Sequence, residues 1–184
     1  MLAFEPITGV LHLDSLEILS DRLILKPIST EYTRYIFEEF NEEVTRYMGP
    51  SPAKSIEDTV HFVEQAIQKR IANNDLTMVI LDRHSEEFLG CVGLHGRSTP
   101  KTPEIGIWIK LKAHGLGIGK EAVTLVYTWA RNNLQIDYFT YPVDRANLSS
   151  RKIPESLGGS VFNEEPLPRM NGGTLDGVIY KILP

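Results

Sequence analysis

Ala113-His114-Gly115-Leu116-Gly117-Ile118-Gly119-Lys120-Glu121-Ala122 decides the reading of this chain. It follows an apolar alternating segment, Ile105-Gly106-Ile107-Trp108-Ile109, and runs directly into an amphipathic stretch of helical period. Three glycines at alternate positions remove the side chains that would hold a ligand off the backbone. A helix starting there aims unpaired N–H groups, and the positive end of its dipole, at whatever lies in front of it. Strand, glycine turn and helix N-terminus together make an anion site suited to a pyrophosphate.

Spacing narrows the ligand. A Walker A loop needs Gly, four residues, then Gly-Lys-Ser/Thr, but Gly119-Lys120 is followed by Glu121 and His114 stands five before Gly119. A dinucleotide fingerprint needs a glycine three after the second one, where this chain has Lys120. Both nucleotide motifs fail. What remains is polar-x-x-Gly-x-Gly, formed by His114, Gly117 and Gly119. The competing reading is a glycine turn that only lets a helix pack on a strand.

Upstream, residues 16–27 alternate as a strand, and Ser29 or Thr30 caps a helix running to about residue 43. Ser55 and Asp58 form a capping-box pattern ahead of Ile56, Val60, Val63, Ile67 and Ile71, which predict one buried helical face. Strands are predicted over 76–82, 88–95 and 104–111, with turns at 83–86 and 96–103. A helix over 117–132 turns Ala122, Leu125, Val126, Trp129 and Ala130 inward. A strand over 136–143, a short helix over 147–157 bent by Pro154, and strands over 161–165 and 174–183 complete the chain. This order predicts an α/β (α+β layered) fold: a mixed, mostly antiparallel central sheet with helices on both faces. A single domain is expected over residues 1–184, with 1–15 as an irregular leader.

Composition excludes several classes. At 184 residues, 42% hydrophobic and 23% charged, the chain is an ordinary soluble domain. No apolar run approaches the roughly 20 residues of a membrane span, and the N-terminus lacks the pattern of a secretory signal. The lone Cys91 excludes an internal disulfide and suits a reducing cytoplasm. Five scattered histidines offer no metal spacing, so no metal is expected. With 19 Lys and Arg against 24 Asp and Glu, the net charge of −5 argues against nucleic acid as a partner. Residues 31–64 are acidic, whereas 110–120 hold Lys110, Lys112, His114 and Lys120 and no acid. A basic patch beside the glycines suits phosphates, and an acidic region elsewhere suits a cationic substrate.

Four ordered segments carry a family likeness. The element order and the His114-x-x-Gly117-x-Gly119 loop resemble the GNAT superfamily of N-acetyltransferases, whose loop usually begins with Gln or Arg. The run from Asn147 through Ser150 and Glu155 to Leu157-Gly158 is similar to the family's Asn-x-x-Ser/Ala-x-x-x-x-Glu-x-Leu-Gly-Phe segment. Ser20-Asp-Arg-Leu-Ile-Leu-Lys-Pro27 resembles the opening of the RimJ/RimL-like branch, and Gly90–Leu94 and Glu104–Ile109 resemble its middle strands. The likeness spans about residues 20 to 160. Two departures stand out: Pro154 occupies the place of a tyrosine that protonates the departing thiolate in many members, and Gly159 replaces a common Phe.

The resemblance implies an acetyl-CoA-dependent transfer of an acetyl group directly to a primary amine. The N–H groups of Gly115, Leu116, Gly117, Ile118 and Gly119 would hold the pyrophosphate, with His114 and Lys120 adding polar and charged contacts. The strand edge at Ile109, Lys110 and Leu111 would pair with the pantetheine amides. One such N–H would also steady the oxyanion, a contact worth about 3–4 kcal/mol where enzymes use one. Glu104 is the expected base through water, or else an ordinary glutamate at a strand start. Ser150 is the expected source of the thiolate's proton, and Asn147 a pantetheine or backbone contact; both residue types also cap helices. Cys91 reads as buried and inert, and His95 and Tyr47 as borders of the acceptor groove or packing residues.

An α-amine titrates near about 8 and a lysine amine near about 10.4, so a site with one base favours protein or peptide N-termini, or another small weakly basic amine. The missing tyrosine keeps a second reading open, a non-catalytic acyl-CoA-binding sensor. No membrane partner is expected, and a monomer or homodimer is.

Overall fold

The computed structural model describes residues 3–96 and 99–184. The segment expected as one strand folds back on itself instead, as β1 (Ile18–Leu19) and β2 (Leu23–Pro27). Ser20 makes the turn: its Oγ accepts from the Leu23 N–H at 2.9 Å, and its own N–H donates to the Leu23 carbonyl. Local side-chain bonding of this kind outcompetes a continuous strand. The next expected helix is shorter, α1 (Thr33–Glu39), and α2 (Ile56–Ile71) opens on the capping box of Ser55 and Asp58.

Three antiparallel strands follow, β3 (Asp75–Asp82), β4 (Phe88–His95) and β5 (Glu104–Ile109). The expected turn at 96–103 lies partly outside the described residues. Then come α3 (Ile118–Asn133), β6 (Phe139–Asp144), α4 (Leu148–Ser156), β7 (Ser160–Pro168) and β8 (Thr174–Ile182). One sheet holds all eight strands in the order β1-β2-β3-β4-β5-β6-β8-β7. Among the described residues only β5 and β6 run parallel, as a strand–helix–strand connection through α3 requires.

The sheet separates two apolar layers. Leu76, Met78, Val92, Leu94 and Ile105 face α3, joined by Ala122, Val126 and Ala130 from that helix. Val79, Leu81, Phe88 and Cys91 face the α1/α2 layer with Ile36, Val63 and Ala66, and Trp108 packs against them. Two expected helix faces are corrected. On α2, Ile56, Val60 and Ile71 are exposed, and the buried stripe is Thr59, Val63, Ala66 and Arg70. On α3, Val123 and Tyr127 are buried as well, while Leu125 and Trp129 are partly covered. The described part of the leader packs onto the core: Phe4 and Leu13 are buried, and the Phe4 N–H donates to the Asn73 carbonyl.

The parting of β5 and β6 positions the site. Their ladder holds a single residue pair, Glu104 with Thr140, where the Thr140 N–H donates to the Pro103 carbonyl at 3.0 Å. In a parallel ladder the next donor on β6 would be residue 142, two further along and facing the same way. That residue is Pro142, which has no N–H. The pairing stops there, and β6 continues by pairing with β8 alone.

Arg70 ties α2 to the rest of the molecule. It is 8% exposed, donates from Nε to Asp14 at 2.9 Å and from Nη1 to the Ile28 carbonyl at 2.7 Å. Arg70→Met keeps the stem and strands that carbonyl, so it should lower the unfolding free energy by about 1.5–3 kcal/mol in a urea titration.

Candidate active site

The glycine loop is built where β5 ends. After the short turn Leu111–Ala113, the chain enters α3 through Gly117, its N-cap, at φ +77. Only glycine adopts that left-handed conformation without strain. The first bond of the helix runs from the Glu121 N–H to the Gly117 carbonyl at 3.1 Å. The N–H groups of Ile118, Gly119 and Lys120 therefore precede the helical ladder and point out of its end. A Cβ on Gly115 would meet nothing within 4 Å, so this face of the loop is open. Arg22 fastens the loop from behind, donating to Glu121 and, from Nη1, to the Leu116 carbonyl at 3.2 Å. Ser20 adds a 2.6 Å bond to the same carboxylate.

The open edge of β5 differs from expectation. The Lys110 N–H donates to the Leu89 carbonyl of β4 at 2.8 Å, and its buried ammonium pairs with Glu87. Lys110 therefore faces away from the opening. Alternation along the strand turns the main-chain groups of Ile107 and Ile109 towards the open side instead. Ile107 had no signal in the sequence, because which edge of a strand stays unpaired is a tertiary fact. Leu111 lies in the turn. His114 is bonded through Nε2 to the Ile109 carbonyl at 2.7 Å. A carbonyl only accepts, so that nitrogen carries the proton.

Beyond the gap, α4 begins with Asn147, whose side chain accepts from the Ser150 N–H at 3.2 Å as a helix cap. Ser150 Oγ lies 2.8 Å from the hydroxyl of Tyr141 on β6. Tyr141 is 2% exposed, and burial pushes its phenol up to about 12, with the Ser150 bond pulling the other way. A tyrosine thus reaches Ser150 from the strand, although the helix offers only Pro154. Sequence reasoning missed it, since nothing along the chain shows that β6 crosses beneath α4. Tyr180 of β8 fixes the same helix, donating to Glu155 at 2.6 Å and accepting from Arg151 Nε at 3.1 Å. Gly159 is required by close approach: a Cβ there would lie 2.8 Å from the Pro154 carbonyl oxygen and 3.0 Å from Ile182.

The opposite face carries a different set. Glu104, half-buried, is paired with His95 across β4/β5 and stands at the point where β5 leaves β6. His95 Nδ1 lies 2.8 Å from Asp75 Oδ2. Alternation from Cys91 and Trp108 puts Gly93, His95, Glu104 and Gly106 on the α1/α2 side of the sheet, away from α3. Cys91 is buried there, and burial pushes its thiol well above the ordinary range, which leaves it inert as a nucleophile. Among the described residues no cluster of three or more His, Cys, Asp or Glu is placed to hold a metal, and no helix is long and apolar enough to cross a membrane.

Comparison with known proteins completes the picture. Residues 22–160 match the family model described as an acetyltransferase (GNAT) domain. The chain is 26% identical over 170 residues to the uncharacterized N-acetyltransferase YoaA of Bacillus subtilis, covering 89% of this chain and 94% of that one. It is 26% identical over 159 residues to an N-acetyltransferase 9-like protein of Caenorhabditis briggsae, covering 79% and 78%. Among solved structures, the acetyltransferase from Salmonella typhimurium that modifies the N-terminal serine of ribosomal protein L7/L12 superposes with a TM-score of 0.79 at 16% identity, over 92% of this chain and 99% of that one. The Microcin C7 self-immunity acetyltransferase MccE, solved with acetyl-CoA and AMP, superposes at 0.79 with 21% identity, over 90% and 94%. At these identities the superpositions speak for the fold, which they share with this chain. The chain belongs to the GNAT acetyltransferases, enzymes whose acetyl donor is acetyl-CoA.

Proposed function

We propose that the acceptor is a protein or peptide N-terminal α-amine, or a small amine of similar basicity, and that the acetyl group reaches it directly. The observation that carries this reading is the parting of β5 from β6, with a cradle of N–H groups on one face of the sheet and a carboxylate on the other. The likeness to the ribosomal-protein acetyltransferases supports an α-amine. A cytoplasmic setting agrees with a single cysteine that stays reduced.

Acetyl-CoA supplies an activated acyl group. The residues fit it in order along the gap. N–H groups from Gly115 to Lys120 face the pyrophosphate, Lys120 adds charge, and the Ile107 and Ile109 main chain offers the pantetheine a strand edge. Lys112 extends the basic patch. Asn147 shapes the turn that brings Ser150 to the thiol. Ser150 and Tyr141 form a hydroxyl pair that donates a proton to the leaving sulfur. Tyr141 restores from β6 what Pro154 removes from α4. On the acceptor side, Glu104 draws the ammonium in and holds a water against it. The shielded Cys91 leaves no nucleophile for a two-step route.

With acetyl-CoA and peptides beginning in Ser, Thr or Ala, thiol release should accompany acetylation located on the α-amine by mass spectrometry. CoA binding without turnover on any amine would favour the sensor instead. Ser150→Ala and Tyr141→Phe should each lower kcat by about 10- to 100-fold with KM for acetyl-CoA little changed. The double variant should be no worse than the poorer single, since one proton path serves both.

Tyr141 also couples stability to alkaline pH. Its phenol, raised from 10.0 to about 12, is held neutral in the fold. Its stabilising share is complete below pH 10 and drains away as pH rises towards 12, by roughly 1.4 kcal/mol per unit. Denaturant titrations over that window should fall more steeply for the unmodified protein than for Tyr141→Phe.

A further inference from the structure

We propose that the Asp75–His95 pair is the proton acceptor for the incoming amine, with His95 Nε2 receiving the ammonium's proton and Asp75 as the positioning residue. The inference rests on the amine-acetylating reading above and adds to it where the proton goes. Asp75 opens β3 directly opposite His95 on β4, and His95 in turn stands opposite Glu104 on β5. The Asp75 side chain is 8% exposed and that of His95 24%, so the carboxylate is buried behind an imidazole that still reaches solvent. A carboxylate only accepts, so the 2.8 Å contact places the proton on Nδ1 and leaves the Nε2 lone pair free of it. The Thr77 hydroxyl, 3.3 Å from the other Asp75 oxygen, holds the carboxylate in turn.

The ring has a floor made for it. Two glycines lie against it, Gly93 on its own strand and Gly106 on β5. A Cβ on Gly106 would come within 3.1 Å of Nε2, and one on Gly93 would overlap the ring. The missing side chains let the imidazole lie flat on the sheet, with Nε2 above Gly93 of β4 and next to Gly106 of β5. Glu104, directly across from His95 on β5, stands where the opening begins. Among the described residues, Asp75 on β3 and Glu104 on β5 are the carboxylates that flank His95 in the sheet register.

The step balances as follows. The ammonium gives one proton, through the water held at Glu104, to Nε2. The freed nitrogen lone pair forms the C–N bond as the C–S bond breaks, and the sulfur keeps that electron pair. Ser150 with Tyr141 protonates the sulfur, and the nitrogen's second proton replaces the one they gave. One proton remains on His95 and passes to solvent. Base and acid thus stand on opposite faces of the sheet, joined only by the gap.

The test compares two acceptors on the full-length protein: a peptide with an ordinary α-amine, and the same peptide begun with an aminooxy group, which is already neutral at neutral pH. His95→Gln should lower kcat for the α-amine peptide by about 100-fold while leaving aminooxy turnover and the KM for acetyl-CoA within about twofold. Asp75→Asn should show the same dependence on acceptor with a smaller loss. Equal loss with both acceptors, or none with either, would overturn the proposal. Intact aminooxy turnover shows that the variant is folded. An unmodified protein that acetylates no amine would instead sink the acetylation reading beneath it, and this inference with it.

Discussion

A hydrogen bond that cannot form organises this molecule. β5 and β6 meet at Glu104 and Thr140, and the next N–H the ladder needs is absent because Pro142 supplies none. From that point one edge of β5 stays unpaired, and an unpaired edge is a row of donors and acceptors looking for an extended partner. In most sheets such an edge is a liability. Here it opens inside the sheet, between two strands held firmly on their outer sides by β4 and β8.

The glycine loop, α4 and the Asp75–His95–Glu104 row are arranged around this opening. The α3 N-terminus is held beside it by Arg22 and Ser20, both clamped on Glu121 in the first turn of the helix. An acid in that turn also suits the helix dipole, so the clamp and the helix reinforce each other. α4 is held by the Tyr180–Glu155 and Arg151 contacts and by the tight corner at Gly159. Ser150 and Tyr141 meet at that side, and Asp75, His95 and Glu104 gather on the other. A sheet one residue thick separates the Ser150–Tyr141 pair from the Asp75–His95 pair.

The family's usual parts are redistributed. Pro154 costs α4 a hydroxyl, and β6 supplies Tyr141 from below. The common Phe after Leu157-Gly158 has no room, because Ile182 and the Pro154 carbonyl already fill that corner. His114 spends Nε2 on the end of β5, so it braces the strand-to-loop corner while the backbone N–H groups face outward.

The sequence alone determined the local grammar. Three alternate glycines behind an apolar strand located the helix entry, Asn147 and Ser150 located the second cap, and the capping box of Ser55 and Asp58 located α2, since each works through bonds between residues a few positions apart. Periodicity drew the middle strands closely but placed the wrong residues of α2 inward: Arg70 is buried because Asp14 and the Ile28 carbonyl lie in wait for it, and no window of sequence contains them. Tertiary structure decided which strand edge stays open, so that Ile107 and Ile109 face the gap and Lys110 does not. It alone brought Tyr141 under Ser150 and Asp75 against His95, pairings made by chain crossing and strand register, which depend on the whole sheet rather than on any neighbour in the chain.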